Sequence, residues 1–273
     1  VSANTASALN NNSNAIRGYF TSVGNFADEH YYGAYVSSGV AGNTISGITN
    51  SGFLNLFQQA SSPQTTDVLT LGTRPYNLIK LPPSGAVYIF LTWDDPFGAS
   101  NNDYDLFLVQ ESTGTVVARS DNSQTGTQDP LEIIAFDNPS NGITDFFHIV
   151  VQNFSNIALT RNLNIFSFQP QCAEAGPLRL NPARHERLAY NTPTLSVPAQ
   201  SDSGGTPVSV VSVGAICSAS QKVQDLFLGD PTRDESCFDT TNSTIEFFSS
   251  LGPTLDGRTK PDISAIDGVS ITG

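Results

Sequence analysis

The sequence contains no methionine and a single tryptophan, and it has only 3 histidines, 3 cysteines and 12 lysines plus arginines. An intact translated chain begins with methionine, so these 273 residues read as an internal or processed piece of a longer protein. Against the few basic residues stand 25 aspartates and glutamates, a formal charge of −13. No lysine–arginine cluster is available to neutralise a phosphate backbone, which argues against a nucleic-acid partner. Apolar residues fall in short clusters broken by Gly, Pro, Asn and Ser. None approaches the roughly 20 residues of a membrane-spanning helix, so no membrane partner is expected. Cys172, Cys217 and Cys237 lack the spacing of a zinc knuckle, and their odd number leaves one thiol over. No Walker loop, dinucleotide fingerprint or His-Glu-x-x-His motif occurs. The acidic balance suits a secreted or extracellular protein and leaves structural calcium open. Asn-x-Ser/Thr sequons stand at Asn11, Asn153 and Asn242.

What the chain does contain falls into blocks. Residues 1–36 predict a helix over Ala3–Ala8, a break at Asn10–Asn14 and a buried strand at Tyr19–Val23 ending in Gly24-Asn25. Residues 37–65 are rich in Gly, Ser and Asn and read as a crossing segment. Residues 66–170 carry β-branched and aromatic runs at hairpin-like intervals: Val87–Trp93, Leu106–Val109, Thr115–Ala118, Leu131–Phe136, Phe146–Val151 and Leu163–Phe168. Turn clusters such as Asp94-Asp95-Pro96 and Ser112-Thr113-Gly114 separate them, which predicts an all-β sandwich. Residues 171–273 return to α/β character, because Pro207–Ile216 is a nearly continuous run of small apolar residues. Such a run suits a strand buried on both faces of a parallel sheet.

Near the end stands Thr244-Ile245-Glu246-Phe247-Phe248-Ser249-Ser250-Leu251-Gly252-Pro253, followed through Asp256-Gly257-Arg258 to Lys260-Pro261-Asp262-Ile263. This run closely resembles the segment that subtilisin-like serine proteases carry shortly before their nucleophilic serine. Ser22-Val23-Gly24-Asn25 and Ser212-Val213-Gly214-Ala215 precede it in the order that family shows. The stretch Trp93-Asp94-Asp95-Pro96, then Asn102–Leu108, resembles the jelly-roll-like pre-peptidase C-terminal domains of secreted proteases. The resemblance implies an α/β fold: a partial subtilisin-like parallel-sheet layer interrupted by an inserted β-sandwich. Leu251 replaces the arginine some relatives have, and Ile266-Asp267 stand where many have Pro-Gly. Cys217 with Cys237 is the first disulfide to expect, because both lie in the protease-like segment.

By this resemblance Asn25 is the oxyanion donor, and Ser22, Val23 and Gly24 line the pocket for the residue before the scissile bond. The chemistry fits: a neutral amide donates to a developing oxyanion without having to ionise. His30, His148 and His185 lack the family's His-Gly-Thr context and all follow Asn25. His30, beside Asp28 and Glu29, reads as a loop histidine. The catalytic Asp and His are therefore expected before Val1 and the Ser after Gly273, which leaves these residues inactive alone. The implied partner is a protein or peptide substrate, and acyl transfer through a serine ester needs no cofactor. Asp94, Asp95, Asp103 and Asp105 are weak candidates for a calcium site; a solvated acidic turn explains them as well. Two rivals stand beside the endopeptidase: a protein- or carbohydrate-binding module, and a pseudoprotease.

Overall fold

The computed structural model describes residues 8–9, 11–14, 18–27, 29–58, 73–81, 83–139, 145–168, 188, 190–198, 210–216, 245–246 and 249–266. The three cysteines, His185, Asn242, Asp267 and most of the expected Ala3–Ala8 helix lie outside the described residues. The chain divides into two compact units. One is assembled from Val1–Asp28 and Thr192–Gly273, and the other is the continuous stretch Glu29–Asn191.

The α/β expectation is corrected. The chain is predominantly β with mostly antiparallel sheets, and among the described residues no helix reaches seven residues. Helix there is limited to Ala8-Leu9 and to three-residue 3-10 turns. Among the described residues, parallel strand pairing occurs in one small sheet in the first unit, made of β1 (Tyr19–Ser22), β12 (Val210–Ile216) and β13 (Ile263–Ile266), beside a single isolated parallel bridge, Ser46↔Thr115, in the second. The physical reason lies in β12. Its side chains alternate between buried and partly buried, so the small apolar run does not mark a strand sealed on both faces by helices. Strand β1 also departs from the buried strand the sequence suggests, since Phe20 is 66% exposed and only Val23, just past its end, is sealed.

The second unit is a two-sheet sandwich. One sheet runs β3 (Ser37–Ala41), β4 (Phe53–Asn55), β10 (Asp145–Asn153), β7 (Tyr104–Gln110) and β8 (Thr115–Ser120), with β5 (Asn77–Leu81) also pairing β10. The other runs β2 (His30–Ala34), β11 (Asn162–Phe168), β6 (Ala86–Trp93) and β9 (Leu131–Asp137). Alternation builds the interior. Val87, Ile89, Leu91 and Trp93 point inward from β6, while Tyr88 and Phe90 between them stay exposed. These inward residues join Ile134, Leu163 and Ile165 of their own sheet, and Ile79, Leu106, Leu108, Phe147, Ile149 and Val151 of the facing sheet, in one core. Each fully buried aliphatic side chain there stabilises the fold by roughly 1.5–3 kcal/mol. A smaller cluster of Ile48, Leu54, Phe107, Val109 and Val150 occupies the outer side of the larger sheet.

Three strands of this sandwich come from stretches that the sequence did not mark as sandwich. β2 pairs β11 from Phe166↔His30 to Asn162↔Ala34, and β3 and β4 pair across a bulge. His30 is consequently a fully buried strand residue and not a loop residue. Its Nε2 lies 2.7 Å from Asn164 Oδ1 and its ring 4.6 Å from that of Phe166.

Candidate functional site

The first unit presents an open depression of about 450 Å³ where β1 ends. Phe20, Ser22, Gly24 and Asn25 line it from one side, and Gly214, Ala215 and Ala265 from the sheet beside it. The sheet is set by a parallel register, Tyr19↔Val210 through Ser22↔Val213, and by Val213↔Ile263 on the far side of β12. The Val23 amide extends the first pairing by donating to the Val213 carbonyl at 2.8 Å. The chain then turns at Gly24, whose φ of +99° lies in the left-handed region that glycine tolerates. A Cβ added there would stand 3.0 Å from the Phe26 ring and 3.2 Å from Pro198 Cδ.

Ser22, Val23, Gly24 and Asn25 therefore lie together at and just past the carboxyl end of β1, beside the depression. Asn25 is exposed, and among the described residues its side chain makes no hydrogen bond, so its amide is available to a ligand. Val23 is sealed and contributes backbone alone. Ser22 is exposed on the strand edge.

The turn is held from a distant part of the chain. The Ser250 amide donates to the Gly24 carbonyl at 2.9 Å, and the Phe26 amide donates to Ser250 Oγ at 3.0 Å. Ser250 is fully buried. Next to it, Ser249 Oγ accepts the Ala215 amide at 3.0 Å. On the other side, the Leu251 amide donates to Ser196 Oγ at 2.9 Å and the Ser196 amide to the Leu251 carbonyl at 3.1 Å. Ser250 and Ser196 were not singled out from the sequence. For Ser250 a signal existed, its place in the Ser-Ser-Leu-Gly-Pro run; for Ser196 there was none.

The four aspartates weighed for calcium lie in the second unit, in different circumstances. Asp94 accepts the Asn162 amide at 3.0 Å and the Asn162 Nδ2 at 2.9 Å. Asp95 is buried and accepts from Ser100 Oγ at 2.8 Å, Asn102 Nδ2 at 2.8 Å and Trp93 Nε1 at 3.2 Å. Arg161 Nε stands 2.6 Å from Asp95 Oδ1, an ion pair out of hydrogen-bond alignment. Burial acts to raise the Asp95 pKa, but the donors from Asn102 and Ser100 and the Arg161 charge outweigh it and hold the carboxyl below its usual range. Both residues are thus occupied in fastening the loop after β6.

Asp103 and Asp105 are buried beside Asp121 and Glu132. Asp103 Oδ1 accepts the Gln124 amide at 3.2 Å, yet burial still raises its pKa. The Asp105 carboxyl has no hydrogen bond or ion pair among the described residues; burial first, then the charges of Asp103, Asp121 and Glu132, push it up to about 8. Among the described residues no three His, Cys, Asp or Glu side chains stand as a metal cage.

The sequon asparagine Asn153 is buried, with its Nδ2 donating to the Ala158 carbonyl at 2.9 Å and its Oδ1 accepting the Ala158 amide at 3.1 Å. A glycan attached to this nitrogen would have to displace the residues packed around a side chain that is 4% exposed.

No protein-family model matches the chain, and no curated protein matches it. Among solved structures, the CspB protease of Clostridium perfringens matches with a TM-score of 0.44 and 12% identity, over 91% of this chain and 41% of that one. The arabinose-bound MgGH51 α-L-arabinofuranosidase matches with a TM-score of 0.25 and 16% identity, over 56% of this chain and 29% of that one. This chain thus spans less than half the length of either protein. With both TM-scores under one half, neither likeness assigns a fold or an activity.

Proposed function

We propose that the chain is part of a secreted serine endopeptidase of the subtilisin-like kind, which hydrolyses peptide bonds by acyl transfer, with Asn25 as its oxyanion donor. One observation carries this reading. Two motifs that resemble the family, far apart in the chain, meet in space: Ser250 of the Ser-Ser-Leu-Gly-Pro run bonds both residues flanking Asn25. That contact leaves an unengaged amide at the mouth of a depression. A tetrahedral oxyanion needs a donor already aimed at the place where its charge develops, and a side-chain N–H on a fixed turn meets that need. Ser22, Val23 and Gly24 offer a strand edge along which an extended peptide substrate lies. The nucleophile, base and orienting acid are not assigned among these residues. No cofactor enters the proposed chemistry.

The test uses the natural full-length protein. Wild type hydrolyses peptide substrates and is labelled by a fluorophosphonate directed at the nucleophilic serine. Asn25→Ala lowers kcat by about 100- to 1,000-fold, the loss found for subtilisin's own oxyanion asparagine, and changes KM little. A fully active Asn25→Ala protein removes the residue from the mechanism.

A second reading, a binding module, draws on the outer face of the smaller sandwich sheet. Phe166, Phe90 and Ile133 stand side by side across β11, β6 and β9, and Phe168 stands beside Tyr88. Tyr88 is 41% and Phe168 43% exposed. Retention on protein or polysaccharide resins that is lost in Tyr88→Ala, combined with a wild type that neither hydrolyses peptide nor takes the label, favours this reading over the first.

A further inference from the structure

We propose that Ser250 is the positioning residue that fixes Asn25 for its role as donor; the assignment rests on the endopeptidase reading above. Asn25 is bracketed by two peptide units, and Ser250 holds both. Its own amide donates to the Gly24 carbonyl at 2.9 Å, and its Oγ accepts the Phe26 amide at 3.0 Å. The Asn25 side chain is left without a hydrogen bond of its own among the described residues.

This division of labour follows from what an oxyanion donor must do. One N–H has to stay free for the charge that develops in the transition state, and here neither Oδ1 nor the other N–H is bonded among the described residues to hold the side chain in place. Its position must nevertheless be fixed beforehand, because a donor that reorganises during the reaction loses most of its effect. The remaining way is to lock the backbone on either side. Ser250 can do so because it is itself immobilised. It is fully buried, its successor Leu251 exchanges two hydrogen bonds with Ser196, and its predecessor Ser249 accepts from Ala215 of β12. The Asn25 turn is thereby tied to the central strand of the parallel sheet.

A serine meets these demands with little room for substitution. Alanine keeps the amide bond to Gly24 but leaves the Phe26 amide without its hydroxyl acceptor. Cysteine keeps nearly the same volume with a weaker acceptor, so its effect falls between the two.

The experiment measures steady-state peptide hydrolysis by the natural full-length protein in a double-mutant cycle of Ser250 and Asn25. Ser250→Ala lowers kcat about 10-fold, the equivalent of one net hydrogen bond, with KM within about twofold of wild type. Ser250→Cys loses less, and carries the test if the alanine variant does not fold. On an Asn25→Ala background the Ser250 substitution costs less than about twofold further, because there is no donor left to position. A merely structural role predicts instead the same fractional loss on both backgrounds, and that result overturns the assignment. So does an unchanged kcat in both Ser250 variants. A wild type with neither hydrolysis nor fluorophosphonate labelling overturns the endopeptidase reading and takes this assignment with it. An active wild type with additive Ser250 and Asn25 effects overturns the positioning role alone.

Discussion

Asp105 is a residue whose chemistry departs far from that of a free amino acid in water. It sits near the start of β7, 4% exposed, opposite a strand that brings Asp121 toward it. A carboxylate there has no donor among the described residues and faces Asp103, Asp121 and Glu132. The folded protein therefore keeps the proton up to about pH 8, against an ordinary aspartate value of 3.8. Between these two values the unfolded chain has released a proton that the folded chain still holds. Stability consequently falls as pH rises through this window, by at most about 1.4 kcal/mol per pH unit, and the effect is complete once the folded-state group has ionised. Asparagine keeps the shape and cannot ionise. Denaturant titrations between pH 5 and 9 should show Asp105→Asn gaining on wild type as pH rises to about 8, then holding a constant lead. A lead that does not change with pH means that Asp105 is ionised in the folded protein.

At the scale of elements, the parallel sheet is joined by a Lys-Pro-Asp sequence that carried no structural meaning in the sequence beyond its motif. The Asp262 amide donates to the Ser212 carbonyl at 2.9 Å, and its Oδ2 accepts the Ser212 amide at 2.7 Å and Lys260 Nζ at 2.6 Å. Lys260 is buried and also donates to the Val210 carbonyl at 2.7 Å. These bonds fasten the beginning of β12 to the beginning of β13 and so set the Val213↔Ile263 register. Burial acts to raise the Asp262 pKa, and the bonds from Lys260 and Ser212 overcome it and hold the carboxyl below its usual range. A depressed folded-state pKa contributes stability that is present above the unfolded value and lost as pH falls through the folded one. Asp262→Asn should cost about 1 kcal/mol at pH 7, less than the roughly 1.5–3 kcal/mol of a hydrogen bond to a charged group, because part of the side chain meets solvent. The cost should vanish in acid. An equal cost at pH 7 and pH 3 would show that the ionised form is not what holds the joint.

The same scale explains what the sequence could and could not tell. β6, β9 and β11 were readable because one face is sealed and the other wet, which writes a period of two into their residues. β2, β3 and β4 were not, because each is only three to five residues long, with Gly33 inside β2 and Ser and Gly filling most of β3, and pairing with β11, with β4 and with β10 supplies what propensity does not. The acidic neighbours of His30 suggested a surface loop, while its pairing opposite Phe166 buries it. The α/β expectation came from motif order and one apolar run, neither of which requires helices. At the candidate site, Asn25 was legible through a local motif. The part played by Ser250 was not, since its bond to Phe26 spans 224 positions and no local period records it.

For the whole molecule the dominant fact is charge. A formal −13 at pH 7 is distributed over a chain with few compensating ion pairs among the described residues, notably Arg161–Asp95, Lys260–Asp262, Arg258–Asp256 and Arg119–Asp121. Folding brings the uncompensated carboxylates closer than they are in the expanded chain, so self-repulsion weighs against the compact state. Salt weakens that repulsion, because the screening length falls from about 30 Å at 0.01 M to about 8 Å at 0.15 M. Raising NaCl across this range at pH 7 should therefore raise the unfolding temperature, against the loss expected if attractive surface pairs dominated. The effect should shrink as pH approaches the sequence pI of about 4.3, where the net charge that drives it disappears. Differential scanning calorimetry at pH 7 and near pH 4.3, at both salt concentrations, separates the two cases. If added salt lowers the unfolding temperature at pH 7, pairs such as Arg161–Asp95 outweigh the net charge, and the balance of forces proposed for the molecule is reversed.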